Sequence, residues 1–137
     1  MNHLRNFIIL FIVFLLIDVP MTWGINGKRF GAMFQAINGT PMKWTTRTII
    51  STVCAYLLMT TGMYLFVLLP ELQKEKSQRD IHKAVSKGML QGLVTTGIYD
   101  TTSMATLPGF GTTEALIDTT WGTIMYGIIT YLCLSIM

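Results

Sequence analysis

Four long apolar stretches, separated by polar segments, dominate the chain. They run over residues 6–23, 48–69, 88–107 and 115–136, and each is 18 to 22 residues long. None of the ten Lys and Arg residues lies inside them. Because a helix of about 20 residues crosses the hydrocarbon core of a bilayer, each stretch is predicted to be one membrane span. The pattern therefore predicts an all-α integral membrane protein, a four-helix bundle in a single transmembrane domain over residues 1–137.

A basic segment separates the first two stretches. Residues 24–47 contain four Lys or Arg residues and no acid. Within the segment, Phe30, Met33, Phe34 and Ile37 follow the i, i+3, i+4, i+7 spacing of one helix face. We therefore predict a short interfacial helix between helices 1 and 2, lying among the lipid headgroups. A partly ordered loop that covers the bundle is the alternative.

The composition indicates a membrane environment and argues against several functional classes. Hydrophobic residues make up 51% of the chain and charged residues 12%, whereas a soluble domain is about a quarter charged. The net charge of +3 is modest and the basic residues flank the apolar stretches, so the lipid bilayer, rather than nucleic acid, is the expected partner. The sequence has no phosphate-binding loop, paired-histidine metal motif or nucleophile–base pair. We therefore assign no catalytic residue, metal ligand or cofactor, and an enzyme is the disfavoured class.

The distribution of basic residues predicts the orientation of this multi-pass chain. With four spans, the N-terminus and the link between the second and third spans share one side and carry six Lys or Arg residues. The first loop carries four on the other side. Because Lys and Arg are enriched on the cytoplasmic side of membranes, both termini are predicted to be cytoplasmic.

Three aspartates fall inside the predicted spans. Asp100 and Asp118 lie nine residues on either side of Gly109, so an antiparallel hairpin gives them similar membrane depth. Asp18 precedes Trp23, the expected end of the first span, by five residues, and it approaches the same membrane side. The three carboxyl groups are therefore expected to converge on one layer, about 6–12 Å inside the boundary. An isolated charge there costs at least about 2.5–3.5 kcal/mol, so at least one carboxyl group is expected to be protonated or to share a proton.

The third stretch is unusually polar for a span. Six of its residues are Ser or Thr, and its polar face is expected to contact other helices. Gly88, Gly92 and Gly122 are predicted to let helix backbones approach closely. The predicted polar site draws on three helices, and its residues are Asp18, Tyr99, Asp100, Ser103, Asp118 and Trp121. Further hydroxyl partners are expected from Thr22, Thr96 and Thr119.

The sequence leaves two main interpretations of this polar site open, and a third is that one or more of the acids simply reach interfacial water. In the first, the carboxyl groups bind a proton, a cation or a small polar ligand, either in coupled transport or in ligand binding. Transport would imply a homo-oligomer, because four spans form a narrow pore only if chains associate. In the second, the protein has a structural or interaction role, and the aspartates are hydrogen-bonded clasps between helices.

Two runs of sequence resemble a known family. The run GLVTTGIYDTTSMATLPGF, followed by LIDTTWGT, is similar to the C-terminal half of an uncharacterised membrane protein family, domain of unknown function 2177. Its pattern of Tyr-Asp-x-Thr-Asn-x-Ala-Thr-Leu and Asp-x-x-Trp-Gly is matched by Tyr99, Asp100, Thr102, Ala105, Thr106, Leu107, Asp118, Trp121 and Gly122. Ser103 stands where the family usually has Asn. The resemblance covers most of the chain and implies a small multi-span membrane protein, but it implies no activity.

Overall fold

The computed structural model describes residues 2–137, which form five helices and no strand. In chain order the helices are α1 (His3–Ile25), α2 (Gly27–Asn38), α3 (Thr46–Leu72), α4 (Ile81–Thr106) and α5 (Thr112–Ile136). A short 3₁₀ turn, Lys76–Gln78, lies in the link between α3 and α4. The prediction of an all-α protein is therefore confirmed over these residues.

Two helices contain a wider π-helical turn close to a proline. α1 changes from α to π geometry over Pro20–Ile25, and α3 does so over Tyr64–Leu68, just before Pro70. Proline has no N–H to donate to the carbonyl four residues back, and a π turn accommodates the resulting gap in the hydrogen-bond ladder. Both helices therefore continue past their predicted ends, to Ile25 and Leu72.

α4 and α5 form a long antiparallel hairpin and are the most closely packed pair of helices. α4 begins seven residues before the predicted span, because the Asp80 carboxylate accepts a hydrogen bond from the Lys83 N–H at 2.9 Å and caps the helix. The turn of the hairpin contains Gly109, whose φ of 94° lies in the left-handed region that glycine adopts without strain.

The main core lies between α1, α3 and α5. Phe14 of α1 is fully buried and contacts two tyrosine rings edge-on, Tyr126 at a centroid distance of 5.3 Å and Tyr56 at 6.0 Å. Each such aromatic pair contributes about 0.5–1.5 kcal/mol beyond the burial of its area. Leu10 and Ile129 are also fully buried in this core. These contacts hold α1 and α3 against the α4–α5 hairpin.

The outer surface of the long helices is strongly apolar. Exposed aliphatic and aromatic side chains occur on all four, among them Leu16, Leu58, Phe66, Ile98 and Leu116. α1, α3 and α5 are each long and apolar enough to cross a membrane. α4 has 26 residues, but its hydroxyl groups and N-terminal lysines lower its hydropathy, and it is not among these candidates. Three candidate spans are therefore found where the sequence predicts four.

α2 packs against the turn of the hairpin. Met33 of α2, Phe110 of the turn and Ala115 of α5 form a small buried cluster separate from the main core. The other three apolar residues of the face predicted for this helix pack around the cluster. An ion pair between Arg29 and Glu114, at 3.4 Å, adds a contact at the surface. The chain thus forms a helix where the sequence predicts the short amphipathic one.

Candidate functional site

Asp18 accepts hydrogen bonds from three side chains on three helix segments. Its carboxylate accepts from Tyr56 Oη at 2.5 Å, from Trp121 Nε1 at 3.0 Å and from Thr22 Oγ1 at 2.9 Å. Thr22 follows Asp18 by four residues, so its hydroxyl lies one turn further along α1. Three donors occupy both carboxylate oxygens of a residue that is only 8% exposed. Asp18 therefore connects α1 to α3 and to α5.

Asp100 is buried between α4 and α5 and is only half satisfied. It is 1% exposed, and its Oδ2 accepts a hydrogen bond from Thr119 Oγ1 at 2.5 Å. Its other oxygen, Oδ1, is buried and has no hydrogen-bond partner among residues 2–137. Buried polar atoms are paired in the great majority of cases, so an unpaired carboxylate oxygen marks a place where a proton or a ligand fits.

The carboxyl group of Asp118, on α5, lies near that of Asp100, on α4. The two side chains are close enough to interact electrostatically, and Asp18 is also close enough to Asp118 to do so. Within the described part of the chain, no Lys, Arg or His forms an ion pair with any of the three. Two ionised carboxylates at this separation repel each other unless a proton or a cation lies between them. The aspartates thus form two units, a satisfied Asp18 and an unsatisfied Asp100–Asp118 pair.

Close contact between backbones positions this pair. A Cβ atom added to Gly92 would lie 2.9 Å from the backbone carbon of Gly122, and one added to Gly88 would lie 2.9 Å from the Tyr126 carbonyl oxygen. A Cβ on Gly122 would lie 2.6 Å from Thr96 Oγ1. Real Cβ atoms do not approach other atoms so closely, so the three predicted packing glycines occupy places where a side chain does not fit. The Asp100 side chain is thereby brought against α5.

The polar face predicted for α4 is only partly turned inward. Asp100 and Ser103 are buried on the same face, one turn apart. Thr102 and Thr106 are exposed, and Thr106 Oγ1 donates to the Thr102 carbonyl at 2.7 Å. Thr96, an expected partner of the aspartates, donates to a backbone carbonyl of its own helix instead. A hydroxyl that bonds within its own helix can face lipid without leaving a donor unsatisfied.

A cavity of about 1050 Å³ lies between α2, the loop that follows it and the hairpin turn, and we call it the vestibule. The vestibule is lined by Thr22, Trp23, Gly27, Lys28, Phe30, Gly31, Ala32, Phe34, Gln35, Asn38, Thr40, Pro41, Met42, Lys43, Trp44, Thr48, Tyr99, Phe110 and Asp118. Tyr99 is half exposed, and its ring packs edge-on against Phe110 at 6.3 Å, so it belongs to the vestibule wall. Of the three aspartates, Asp118 lines the vestibule, and Asp18 and Asp100 are buried.

Sequence reasoning missed Tyr56 and the vestibule. The second stretch contains no acidic residue, so it offered no candidate for the polar site. A weak signal was present, because Tyr56, Thr60 and Tyr64 follow each other at intervals of four residues, which places three hydroxyl groups on one helix face. All three side chains are buried. The vestibule has no comparable signal, because it forms only when α2 folds back over the hairpin.

Comparisons with known proteins identify the family of the chain but no characterised relative. No curated protein matches the chain, and no solved structure matches it. A family model described as predicted membrane protein (DUF2177) matches residues 3–135, which is almost the whole chain. That range includes every residue of the polar site and both runs on which the resemblance rests. The chain belongs to the DUF2177 family of predicted membrane proteins.

Proposed function

We propose that this chain is a four-span membrane protein whose Asp100–Asp118 pair binds a proton and exchanges it for a small cationic ligand. The observation that carries the proposal is the Oδ1 atom of Asp100, which is buried near Asp118 and has no partner among residues 2–137. A proton shared by the two carboxyl groups fills this acceptor and removes their mutual repulsion. A cation between them has the same two effects.

The vestibule supplies the route to the pair. Asp118 lines it and is partly exposed, so a solute can reach the carboxyl groups without crossing the apolar core. Trp23, Trp44 and Tyr99 also line it, and aromatic faces attract cations with an energy of about 0.5–2 kcal/mol. The vestibule is lined by one chain, so binding at the pair does not depend on a homo-oligomer.

Four spans in a single transmembrane domain follow if α4 also crosses the bilayer. Its outward face presents Leu90, Val94 and Ile98, which are exposed at intervals of four residues and form an apolar stripe. Its inward face carries Asp100, Ser103 and two glycines, and the exposed Thr101 and Thr106 hydroxyls donate to carbonyls of their own helix, which a lipid-exposed helix tolerates. With four spans, the excess of basic residues near the N-terminus and in the α3–α4 link favours cytoplasmic termini. The basic α2 then lies at the opposite interface.

Carbodiimide labelling tests the proton site. Dicyclohexylcarbodiimide is apolar and adds to protonated carboxylic acids, so mass spectrometry of the labelled protein identifies which aspartates hold a proton in the membrane. We expect label on Asp100 or Asp118, less label as the pH rises, and protection by methylammonium. We expect no label on Asp18, whose oxygens are occupied by donors. Label confined to Asp18, or no label at any pH, would overturn the proposal.

A structural role is the second candidate, and Asp18 is the observation that favours it. Its three hydrogen bonds make it an interhelix clasp irrespective of any ligand. If the Asp100–Asp118 pair is also only a clasp, its labelling will be unaffected by methylammonium. Protection by the cation therefore separates the two candidates.

A further inference from the structure

We infer that the vestibule binds the headgroup of an aminophospholipid, with the primary ammonium group at Asp118 and the phosphate at Lys28 and Lys43. The inference rests on the proposed function, because the ammonium group is the cation that replaces the proton of the Asp100–Asp118 pair. It names the chemical class of the ligand, an aminoalkyl phosphate carried by a lipid.

The charges of the vestibule are arranged for a zwitterion. Its acidic residue, Asp118, is partly buried among the helices, whereas Lys28 and Lys43 are exposed on α2 and on the loop that follows. A ligand therefore meets positive charge at the outer part of the vestibule and negative charge further in. Neither lysine forms an ion pair within residues 2–137, whereas the neighbouring Arg29 is paired with Glu114. Both ammonium groups are thus free to bind a phosphate.

The unpaired oxygen of Asp100 favours a primary ammonium over a quaternary one. A primary ammonium has three N–H donors, and a trimethylated nitrogen has none. Two neighbouring carboxyl groups, one with a buried and unpaired oxygen (Oδ1 of Asp100), require hydrogen-bond donors as well as positive charge. Ethanolamine-type headgroups supply both, whereas choline-type headgroups supply the charge alone.

The size and wall of the vestibule favour an amphiphile over a free ion. At about 1050 Å³ it is at the upper end of the range of ligand pockets, about 300–1,000 Å³, and an inorganic cation would occupy a small part of it. Aromatic rings form part of the wall, and those of Trp23 and Trp44 contact each other at a tilt of 44° and a centroid distance of 4.8 Å. Such rings sit naturally at the level of lipid headgroups, where a glycerophosphate backbone contacts them.

Native mass spectrometry with defined lipids tests the inference. The full-length protein is purified in detergent and mixed with equal amounts of phosphatidylethanolamine, phosphatidylcholine and phosphatidylglycerol. We expect phosphatidylethanolamine to be retained at least about tenfold more tightly than the other two. Asp118→Asn should lower its retention to the level of phosphatidylcholine. The double variant Lys28→Gln/Lys43→Gln should weaken binding of all three lipids.

A matched control removes the same charge elsewhere. Lys76, in the α3–α4 link, and Lys83, in the first turn of α4, are exposed and do not line the vestibule, so Lys76→Gln/Lys83→Gln should retain lipid like the wild type. Soluble glycerophosphoethanolamine, a phosphodiester, has the same two charges without acyl chains and is expected to compete at least about tenfold less well. Equal competition would overturn the assignment to a lipid. Equal retention of phosphatidylglycerol, or unchanged retention by a folded Asp118→Asn protein, would overturn the aminophosphate assignment.

The two proposals fail in different ways. If carbodiimide still labels the pair and methylammonium still protects it, but phosphatidylethanolamine is not preferred, only the lipid inference is wrong. If neither label nor lipid preference is found, the proton site is wrong as well.

Discussion

The indole N–H of Trp121 donates a hydrogen bond to Asp18 at 3.0 Å, although the two residues are 103 positions apart in the chain. Tyr56 donates to the same carboxylate, so the first, third and last helices meet at one side chain. Hydrogen bonds to a charged group contribute about 1.5–3 kcal/mol each, and a donor left unpaired in the interior costs about 1–3 kcal/mol. The position of α1 in the fold therefore depends strongly on Asp18.

Tyr56→Phe should lower the free energy of unfolding by about 1–3 kcal/mol, because it removes one donor to Asp18 and leaves the ring in place. Unfolding in mixed detergent micelles, followed by circular dichroism, measures the change. Tyr131→Phe is the matched control, since its ring is exposed on α5, and it should change stability by less than about 0.5 kcal/mol. Equal effects of the two substitutions would contradict the role given to Asp18.

Cation binding at the Asp100–Asp118 pair should release a proton. Adding methylammonium to the lightly buffered protein is expected to release about one proton per chain, measured with a pH indicator dye. Asp118→Asn should release none, because it removes one of the two carboxyl groups that together hold the cation in place of the proton. Release should also fall to zero at a pH high enough for both carboxyl groups to be ionised already, while binding persists. Glu75→Gln, an acid removed from the exposed link, is the control and should behave like the wild type.

Gly92→Ala should destabilise the hairpin by about 1–3 kcal/mol, because the new methyl group meets the backbone of Gly122. Gly97→Ala provides a comparison on the same helix. The nearest atom to its added Cβ is Thr119 Cγ2 at 3.8 Å, an ordinary contact, so alanine should be neutral or stabilising by up to about 1 kcal/mol. The same unfolding assay measures both, and a loss of stability in Gly97→Ala equal to that in Gly92→Ala would argue against the backbone contact.

Cysteine labelling should show whether α4 crosses the membrane. Ser77 precedes α4 and Thr113 follows it, and both are exposed. In a protein with both native cysteines replaced by alanine, Ser77→Cys and Thr113→Cys should react with an impermeant maleimide from opposite sides of sealed vesicles. Inside-out vesicles should label Ser77→Cys, since the link is proposed to be cytoplasmic. Labelling of both positions from one side would show that α4 does not span.

Local features of the fold could be predicted from the sequence. Three of the apolar stretches correspond to the candidate spans α1, α3 and α5. The hydropathy of a segment depends only on its own residues, so it can be read from the sequence without knowledge of the packing. The amphipathic spacing around Met33 likewise fixed the face that α2 buries. The π turns near Pro20 and Pro70 were missed, since a proline predicts a gap in the ladder but not the way in which the backbone accommodates it.

The sequence predicts a common level for the three aspartates, but it does not predict their hydrogen-bond partners. Counting residues from Gly109 and Trp23 assigns the three aspartates to one level, because helix rise is constant. It does not reveal which aspartate receives donors. That depends on the rotation of each helix, which brings Tyr56 to Asp18 and leaves Asp100 with an unpaired oxygen. Rotation is decided by packing between helices, which a single sequence does not encode in any local pattern.

The contact between Gly92 and Gly122 limits how the protein can change shape. With no side chain between the two backbones, α4 and α5 cannot slide or roll past each other without a collision. The contact therefore opposes relative movement of the two helices that carry Asp100 and Asp118. A displacement of α1 and α3 relative to this hairpin would break the hydrogen bonds that Asp18 accepts from Tyr56 and Trp121, so those bonds oppose separation of the helices.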